Sequence, residues 1–443
     1  MAGNIIAIVG RPNVGKSTLF NRLTKARTAI EEKVPGVTRD RLYGISEWGG
    51  KSLVIIDTGG LTFDTTEEFS VRIRAQVELA ISEANVIIFL LDGRDGLTPL
   101  DQEIAGILRK SGKKVLPVIN KLDFHGSEEA VYGFYSIGFG EPMPLSAAHG
   151  RGTGEILDAV TNLLPDNDLI DSLYPENAIK VAVIGRPNVG KSSIINKILG
   201  EERVIVSSEP GTTRDAVDTL FYLEEQPYLL IDTAGMRRKS KVKDSVEYYS
   251  VLRSLKAVQR ADLALLVLDA EDGITEQDQR LAGFVDQEGR GLVIAVNKWD
   301  LKKGVDGARD KQLMDITRQF SFVPYAPVEF ISALTGKRLD RLFPILVKVW
   351  QEQHKRIPTA LLNELLEDAL AVNPPPNVKG KRVKIFYGTQ PSIKPPTFVL
   401  FSNEPELIHF SYKRYLENRI REAFDFMGTP VRIKFNKRVR RGD

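Results

Sequence analysis

The sequence predicts an α/β fold made of two copies of one domain, each a mostly parallel sheet flanked by helices, followed by a small α+β domain. Two observations lead to this prediction. A set of motifs returns at a nearly fixed spacing, and short β-branched runs alternate with helical stretches inside each copy. The chain has 443 residues, and domains of about 150 residues would divide it into roughly three.

Four sequence motifs occur twice in the same order. The pairs are GRPNVGKS at 10–17 and 185–192, PGVTRD at 35–40 with PGTTRD at 210–215, IDTGG at 56–60 with IDTAG at 231–235, and NKLD at 120–123 with NKWD at 297–300. The first three pairs are 175 residues apart and the fourth 177. Two unrelated domains would not keep four motifs in register, so the chain contains a duplicated domain.

Strands and helices alternate along the first copy. We predict strands at NIIAIVG, RLYGISEW, LVIID, VIIFLLD and KVLPVIN, and helices that begin at Lys16 and near 67–83. A linker follows this copy, because PDNDLIDSLYPEN at 165–177 is acidic, contains Pro and lacks Lys and Arg. The expected organisation is a first domain at 1–164, the linker at 165–177, a second domain at 178–350 and a third at 351–443.

The repeat stops after about residue 350. The predicted elements there are a helix at 359–371, strands at 381–388 and 397–402, a helix at 412–425 and a strand at 431–437. In the last strand, period-two alternation places Val431, Ile433 and Phe435 on one face and leaves Arg432 and Lys434 on the other.

Composition narrows the class of protein. Hydrophobic residues make up 42% of the chain and charged residues 27%, as in folded soluble proteins. The chain has no cysteine, which excludes disulfides, thiolate nucleophiles and zinc–thiolate sites. No apolar stretch has the length of a membrane span or the pattern of a signal peptide. We therefore expect a cytoplasmic protein, and we expect it to be a monomer.

The net charge of +3 is unevenly distributed. Residues 354–443 contain 17 Lys and Arg against 9 Asp and Glu, a net of +8, so the remainder carries −5. A basic final domain that ends in KRVRR would attract an anionic partner such as RNA, although a basic tail can also be a solvated chain end.

The motif GRPNVGKS predicts a phosphate-binding loop. In a Gly-x-x-x-x-Gly-Lys-Ser loop between a strand and a helix, backbone N–H groups point at phosphates and the helix adds its positive end. Lys16 would reach the terminal phosphates and Ser17 would bind Mg²⁺. The expected contacts come from Gly10, Asn13, Gly15, Lys16, Ser17 and Thr18 in the first copy, and from Gly185, Asn188, Gly190, Lys191, Ser192 and Ser193 in the second. The alternative is that GRPNVGKS is only a glycine-rich turn in which the lysine occurs by chance. That alternative would not explain why the other motifs follow it at fixed spacings in both copies.

Asp57 ends an apolar strand where a carboxylate can hold Mg²⁺ through water, and Gly60 lets the backbone approach a γ-phosphate. A threonine upstream should sense that phosphate through Mg²⁺. Because Val37 corresponds to Thr212, only Thr38 keeps its hydroxyl in both copies. The equivalent residues of the second copy are Asp232, Gly235 and Thr213. Loops that carry these threonines would order with GTP and relax with GDP.

The motif Asn-Lys-x-Asp predicts that the base is guanine. One carboxylate accepts hydrogen bonds from guanine N1–H and its exocyclic NH₂, whereas adenine presents an acceptor at N1. Asp123 would read the base, Asn120 would bind it and tie loops together, and the Lys121 stem would cover the ring. The same roles fall to Asp300, Asn297 and Lys298. The segments SAA at 146–148 and SAL at 332–334 place Ser146, Ala147, Ser332 and Ala333 at the guanine oxygen, with the Ala147 and Ala333 N–H groups donating. Together the motifs predict two tandem P-loop GTPase domains.

Hydrolysis should depend on charge and positioning. Many GTPases place a water-orienting glutamine after Asp-x-x-Gly, but Leu61 and Met236 occupy that position here. Intrinsic hydrolysis should therefore be slow. A group other than a glutamine side chain should stabilise the charge that develops in the transition state. The residues assigned to catalysis are Lys16, Thr38, Lys191 and Thr213.

The motifs, the duplication and the appended domain resemble the bacterial double-GTPase family called EngA or Der over essentially the whole chain. The resemblance implies a role in assembly of the large ribosomal subunit, with ribosomal RNA and ribosomal proteins as partners, and a KH-like last domain. That domain departs from RNA-clamping KH domains, since its glycines form no Gly-x-x-Gly pair. Potassium-activated relatives carry an asparagine in the phosphate loop, which implies a K⁺ ligand at Asn13 and Asn188. Both asparagines could instead simply form the turn.

Two other functions remain open at this level. A small-molecule kinase also uses a phosphate loop, but it has no use for two guanine readers. A binding module in which one copy holds nucleotide without hydrolysing it fits the sequence as well. The copies diverge after IDTGG and IDTAG: LTFDTTEE at 61–68 is acidic, whereas MRRKSKVK at 236–243 has five basic residues, which could contact RNA or form a solvated loop.

Overall fold

The computed structural model describes most of the chain. The described residues are 4–25, 43–58, 74, 77–78, 80–123, 131–164, 174–200, 203–206, 218–233, 246–302, 304, 306–377 and 381–438. They divide into two compact units, one within residues 1–176 and 240–252 and the other within 177–239 and 253–443. Within the described ranges, none of the helices combines the length and the hydropathy that crossing a bilayer needs.

The first copy is built on a six-stranded sheet with the order β2-β3-β1-β4-β5-β6. All neighbours in this sheet pair in parallel except β2, which is antiparallel to β3. The strands are β1 (Ile5–Val9), β2 (Tyr43–Trp48), β3 (Lys51–Asp57), β4 (Val86–Asp92), β5 (Lys114–Asn120) and β6 (Met143–Pro144). Along the chain, helices α1 (Lys16–Lys25) and α2 (Pro99–Lys110) lie between strands, and α3 (Thr153–Leu163) follows β6. The predicted α/β architecture of this copy is confirmed.

The second copy has the same parallel core in a seven-stranded sheet, β13-β12-β11-β7-β10-β9-β8. An additional edge strand, β8, pairs antiparallel with β9. The strands are β7 (Ile179–Ile184), β8 (Val204–Val206), β9 (Thr219–Leu223), β10 (Gln226–Ile231), β11 (Leu263–Asp269), β12 (Gly291–Asn297) and β13 (Val328–Phe330). The helices are α4 (Lys191–Leu199), α5 (Val246–Arg260), α6 (Glu276–Gln287), α7 (Ala308–Gln319) and α8 (Leu342–Gln353).

The last domain is a three-stranded mixed sheet covered by two helices. Strand β14 (Ile385–Ile393) runs antiparallel to β15 (Pro396–Ser402), and β15 runs parallel to β16 (Arg432–Lys437). Helices α9 (Thr359–Val372) and α10 (Phe410–Phe424) pack on one face. The predicted alternation in the last strand is confirmed, because Val431 and Ile433 are buried and Lys434 is exposed.

One predicted strand of this domain had the wrong bounds. The sequence suggested 381–388, ending at Gly388, whereas β14 begins at Ile385 and continues to Ile393. Gly388 lies inside the strand because helix α9 packs closely there. A Cβ atom at this position would lie 2.6 Å from Leu400 Cδ2 and 2.8 Å from Leu366 Cδ1. The glycine therefore marks a close approach between helix and sheet and does not end the strand.

The last domain packs directly against the second copy within one compact unit. The backbone N–H of Leu292, in β12, donates to Gly428 O at 2.7 Å, and Gly428 N–H donates to Tyr325 O at 2.8 Å. The Arg432 guanidinium contacts Asp286, with Nη1 3.2 Å from Oδ2. Two backbone hydrogen bonds at Gly428 and a half-buried ion pair thus fix this domain against the second copy.

Candidate functional site: two phosphate loops tied to two base loops

Each copy places its Gly-rich loop between the first parallel strand and the helix that follows it. In the first copy the loop runs from the end of β1 to Lys16, the first residue of α1. Asn13 and Gly15 have φ angles of 65° and 98°, in the left-handed region. Asn188 and Gly190 repeat these angles at 65° and 100°. Asn and Gly adopt this conformation most easily, so the sequence allows the tight turn that aims backbone N–H groups into the loop.

The phosphate-loop lysines fold over their own loops. Lys16 Nζ donates to Gly10 O at 2.8 Å and to Arg11 O at 2.9 Å. Lys191 Nζ donates to Gly185 O at 2.6 Å. Burial lowers the pKa of Lys16, an effect that the Asp57 charge opposes. Burial also lowers the pKa of Lys191, to about 8. A partly desolvated ammonium group is stabilised by an anion, so both lysines favour bound phosphate.

The side-chain amides of Asn120 and Asn297 join the phosphate loop to the predicted base loop. Asn120 Nδ2 donates to Val14 O at 2.8 Å, and Asn120 Oδ1 accepts from Ala147 N–H at 2.9 Å. Asn297 makes the same pair of bonds, to Val189 O at 2.8 Å and from Ala333 N–H at 2.9 Å. The prediction that these asparagines tie loops together is confirmed.

The predicted base-reading aspartates have different surroundings in the two copies. Arg94 Nη2 lies 3.1 Å from both Asp123 carboxylate oxygens. Asp300 Oδ1 is buried and has no hydrogen-bond partner among the described residues. The residue that corresponds to Arg94 is Glu271, which cannot pair with a carboxylate. Each aspartate carries the acceptor pair that guanine N1–H and NH₂ require, but only the second copy leaves an acceptor atom unpaired.

The lysines of Asn-Lys-x-Asp are held by buried aspartates. Lys121 Nζ lies 2.5 Å from Asp92 Oδ2, and Lys298 Nζ lies 2.5 Å from Asp269 Oδ2. Burial alone would raise the pKa of the Asp92 carboxyl, but hydrogen bonds from Lys121 and backbone N–H groups outweigh it, so the pKa lies below its ordinary value. These pairs fix the lysine stems where they would cover the base.

The predicted magnesium ligands are only partly described. Asp57 is buried at the end of β3, close enough to Lys16 for their charges to interact. In the second copy the strand ends one residue earlier, and Asp232 has a φ of 60°. Ser17 and Ser192 lie in the first turns of α1 and α4, with exposed side chains. The remaining predicted residues of this group, Thr38, Gly60, Leu61, Thr213, Gly235, Met236 and the stretch 236–243, lie outside the described residues.

The donor set suits Mg²⁺ that is bound mainly through a nucleotide. Within the described ranges, no three His, Cys, Asp or Glu side chains gather as a metal cage. Mg²⁺ usually takes one or two protein oxygen ligands together with water and phosphate oxygens. Ser17 with Asp57, and Ser192 with Asp232, provide a hydroxyl and a carboxylate of this kind.

Sequence reasoning missed an arginine that anchors each phosphate loop. Arg186 Nε lies 3.0 Å from Asp278 Oδ2, and Arg186 Nη2 donates to Gly273 O at 3.2 Å. Arg11 Nε lies 3.5 Å from Asp101 Oδ2, and Arg11 Nη2 donates to Asp95 Oδ2 at 2.5 Å. Asp101 and Asp278 are fully buried and also cap the helices α2 and α6. The sequence contained a signal for this pair. The two arginines are 175 residues apart and the two buried aspartates 177, and these are the same spacings that separate the duplicated motifs.

Two family models and many relatives match this chain. A model described as 50S ribosome-binding GTPase matches residues 5–121 and 180–298. A model described as KH-domain-like of EngA bacterial GTPase enzymes, C-terminal, matches residues 356–436. A protein named GTPase Der from Listeria monocytogenes serotype 4a is 52% identical over 438 residues, which cover 99% of this chain and 100% of that protein.

Relatives of the same name in other bacteria align over similar lengths. GTPase Der from Caldanaerobacter subterraneus subsp. tengcongensis is 52% identical over 439 residues, 99% of each chain. GTPase Der from Geobacillus thermodenitrificans is 52% identical over 433 residues, 98% of this chain and 99% of its own. The likeness therefore includes both duplicated copies and the last domain.

The buried arginine anchor gives the first prediction. Replacing Arg186 with Ala leaves the buried Asp278 carboxylate without its cation, so the free energy of unfolding of the second unit should fall by about 3 kcal/mol. Chemical denaturation followed by tryptophan fluorescence measures this change, since Trp299 and Trp350 lie in that unit. The matched control is Arg318→Ala, because Arg318 pairs with Asp315 at 3.4 Å on an exposed helix. The control should lose at most about 0.5 kcal/mol, and equal losses in both variants would contradict the anchor.

Proposed function

The chain belongs to the Der, or EngA, family of GTPases, and on that premise we propose that it acts as a nucleotide-controlled factor in assembly of the large ribosomal subunit. It is a GTPase with two tandem GTPase domains and a KH-like C-terminal domain. The duplicated Asn bridge supports nucleotide control, because it gives both copies the same connection between the predicted phosphate and base loops. The match to the family model described as 50S ribosome-binding GTPase supports the ribosomal part.

The nucleotide would bind with its phosphates on the N-terminus of α1 or α4 and its base against Asp123 or Asp300. Backbone N–H groups and Lys16 or Lys191 would hold the β- and γ-phosphates. Mg²⁺ would neutralise phosphate charge, held by Ser17, Thr38 and Asp57 in the first copy and by Ser192, Thr213 and Asp232 in the second.

The state of the γ-phosphate would control the partner through Thr38 and Thr213. A nucleotide shifts a conformational equilibrium only if it binds the two states with different affinities. We propose that the GTP-bound state favours the ribosomal partner, and that the strongly basic C-terminal domain adds contacts to ribosomal RNA.

A second candidate function gives one copy a purely structural nucleotide. The copies differ at two positions of the site: Asp57 completes its strand whereas Asp232 lies beyond it with a positive φ, and Arg94 of the first copy is replaced by Glu271. These differences allow unequal rates, so the proposal must be tested one copy at a time.

Guanine reading by Asp123 and Asp300 gives a prediction that also separates the copies. In Asp300→Asn, the side-chain NH₂ can donate to the 2-oxo group of xanthine, so the second copy should bind XTP and lose GTP. Asp123→Asn should do the same for the first copy. Titration with each nucleotide checks the change in specificity, and single-turnover hydrolysis of XTP then reports one copy alone.

The matched control is Asp310→Asn, because Asp310 is an exposed aspartate on helix α7. This variant should keep guanine specificity at both sites. Tight XTP binding by the control, or unchanged GTP binding by both site variants, would refute the assignment of the base readers.

Potassium gives a separate prediction. We propose that Asn13 and Asn188 ligate K⁺ beside the phosphates, so hydrolysis should run faster in KCl than in NaCl at equal ionic strength. Asn13→Gly should remove this response in the first copy, because glycine tolerates the φ of 65° but offers no side-chain oxygen. Asn13→Asp, which keeps an oxygen, is the control that should retain part of it. If the wild-type chain hydrolysed GTP at equal rates in KCl and NaCl, the potassium proposal would be rejected, and Asn13 and Asn188 would serve only to form the turn.

Ribosome binding gives the last prediction for this function. The chain should cosediment with purified large subunits more strongly with a non-hydrolysable GTP analogue than with GDP, and the affinity should fall steeply with salt as counterions are released. The full chain is required, because deletion of residues 354–443 would cut the hydrogen bond between Leu292 and Gly428. Small subunits serve as the control. Binding that is equal with both nucleotides would argue against a switch, and absence of binding would reject the ribosomal proposal.

A further inference from the structure

The sheet of the C-terminal domain has a covered face and an open face. Phe398, Leu400 and Ile433 are buried beneath helices α9 and α10. On the opposite face, 39% of Tyr387 is exposed, and Lys434 is exposed as well. The open face therefore presents an aromatic ring beside a shift in the β14–β15 pairing register.

Two aromatic rings stack on the open face. Cross-strand pairing aligns Tyr387 with Phe401, and Phe401 with Asn436. The Tyr387 and Phe401 ring centroids are 4.5 Å apart and the ring planes differ by 17°. Strand β14 lies at the edge of the described sheet, so no neighbouring strand of that sheet supplies a partner for the outer side of the Tyr387 ring. Nucleic-acid bases stack on aromatic faces presented in this way.

Basic side chains surround the same end of the sheet. Strand β14 begins where β15 and β16 end, which brings Lys384, Lys437 and Arg438 to this end together. All three are exposed, and the Arg438 guanidinium lies 4.8 Å from the centre of the Phe386 ring. Lys434 is also exposed and lies on the open face beside Val399. No ion pair joins Lys384, Lys434 or Lys437 to another described residue. The aromatic pair is therefore bordered by positive charge that is not neutralised by described neighbours, which suits a phosphate backbone.

The backbone around the rings is held in place before any ligand binds. Arg438 N–H donates to Ser402 O at 3.0 Å, which extends the pairing of β16 past its last residue. The Asn403 side chain accepts from Lys384 N–H at 2.7 Å and donates to Arg382 O at 2.9 Å. A fixed platform loses little conformational entropy on binding.

We propose that this surface, the aromatic platform of Phe386, Tyr387 and Phe401 with Lys384, Lys434 and Arg438, binds an unpaired segment of RNA by stacking its bases. This inference deepens the proposed ribosomal function by naming the surface and the RNA structure that it recognises. The bases of a duplex stack on each other and cannot reach the rings, so the platform selects single-stranded RNA. The far end of the face is closed where Arg432 contacts Asp286 of the second GTPase copy, which sets the limit of the surface.

The experiment measures binding of a short fluorescein-labelled oligouridine to the full chain by fluorescence anisotropy, next to an RNA duplex of equal length. Wild-type protein should bind the single strand more tightly than the duplex. Tyr387→Leu and Phe401→Leu, which keep apolar side chains, should each weaken single-strand binding roughly fivefold or more, as loss of a stacked base predicts. Tyr387→Phe, which keeps the ring, should bind like wild type. Lys434→Gln and Arg438→Gln should reduce the salt dependence of binding.

The matched control is Tyr132→Leu, because 73% of Tyr132 is exposed in the first GTPase copy. This variant should bind the oligonucleotide like wild type. Circular dichroism checks the fold of each variant. If a leucine variant does not fold, quenching of 2-aminopurine placed in the oligonucleotide tests stacking on the wild-type chain.

Unchanged binding by both folded leucine variants, equal affinity for single strand and duplex, or absence of 2-aminopurine quenching would overturn the proposal. Ribosome binding that requires Tyr387 while free oligonucleotides do not bind would also overturn it and would indicate a ribosomal protein as the contact. The outcome is separable from the ribosomal function, because the oligonucleotide assay contains neither subunits nor GTP. If the chain does not bind the oligonucleotide but still cosediments with large subunits in a nucleotide-dependent manner, the RNA platform is rejected and the proposed ribosomal function stands.

Discussion

One side-chain amide in each copy joins the two loops on which the proposed nucleotide site depends. Asn120 and Asn297 each use a donor to hold the phosphate loop and an acceptor to hold the base loop. These two loops are far apart in sequence, and each follows the carboxyl end of a parallel strand. Gly15 and Gly190 are required beside them, because a Cβ atom at either position would collide with the amide nitrogen. The loops predicted to bind phosphate and base are thus parts of one hydrogen-bonded structure.

Buried charges secure the parts that the amide joins. The pairs Arg11–Asp101 and Arg186–Asp278 fix the start of each phosphate loop to a helix cap, and the pairs Asp92–Lys121 and Asp269–Lys298 fix the lysine of each base loop. Charges buried in this way are costly unless paired, so loss of one partner would disturb the site beyond its own contact. The two copies share this framework but differ in what surrounds the predicted base-reading aspartates, Asp123 and Asp300.

Much of the fold and of the site followed from the sequence because both depend on local patterns. Apolar runs predicted the parallel strands, and the duplicated motifs predicted Lys16, Asn120 and Asp123 as candidate site residues. The extent of β14 was misjudged, since Gly388 serves packing against helix α9 and not chain reversal. The docking of Arg432 on Asp286 was also unforeseen, because it joins residues 146 positions apart and neither residue belongs to a periodic motif.

The number of guanine-nucleotide sites per chain tests the central role of the amide bridge most directly. Titration of the full chain with fluorescent GDP should give two sites for the wild type and one for Asn120→Ala, because loss of the bridge releases the phosphate and base loops together. Asn162→Ala, an exposed position on helix α3, should keep two sites. Two sites of wild-type affinity in Asn120→Ala would contradict the account.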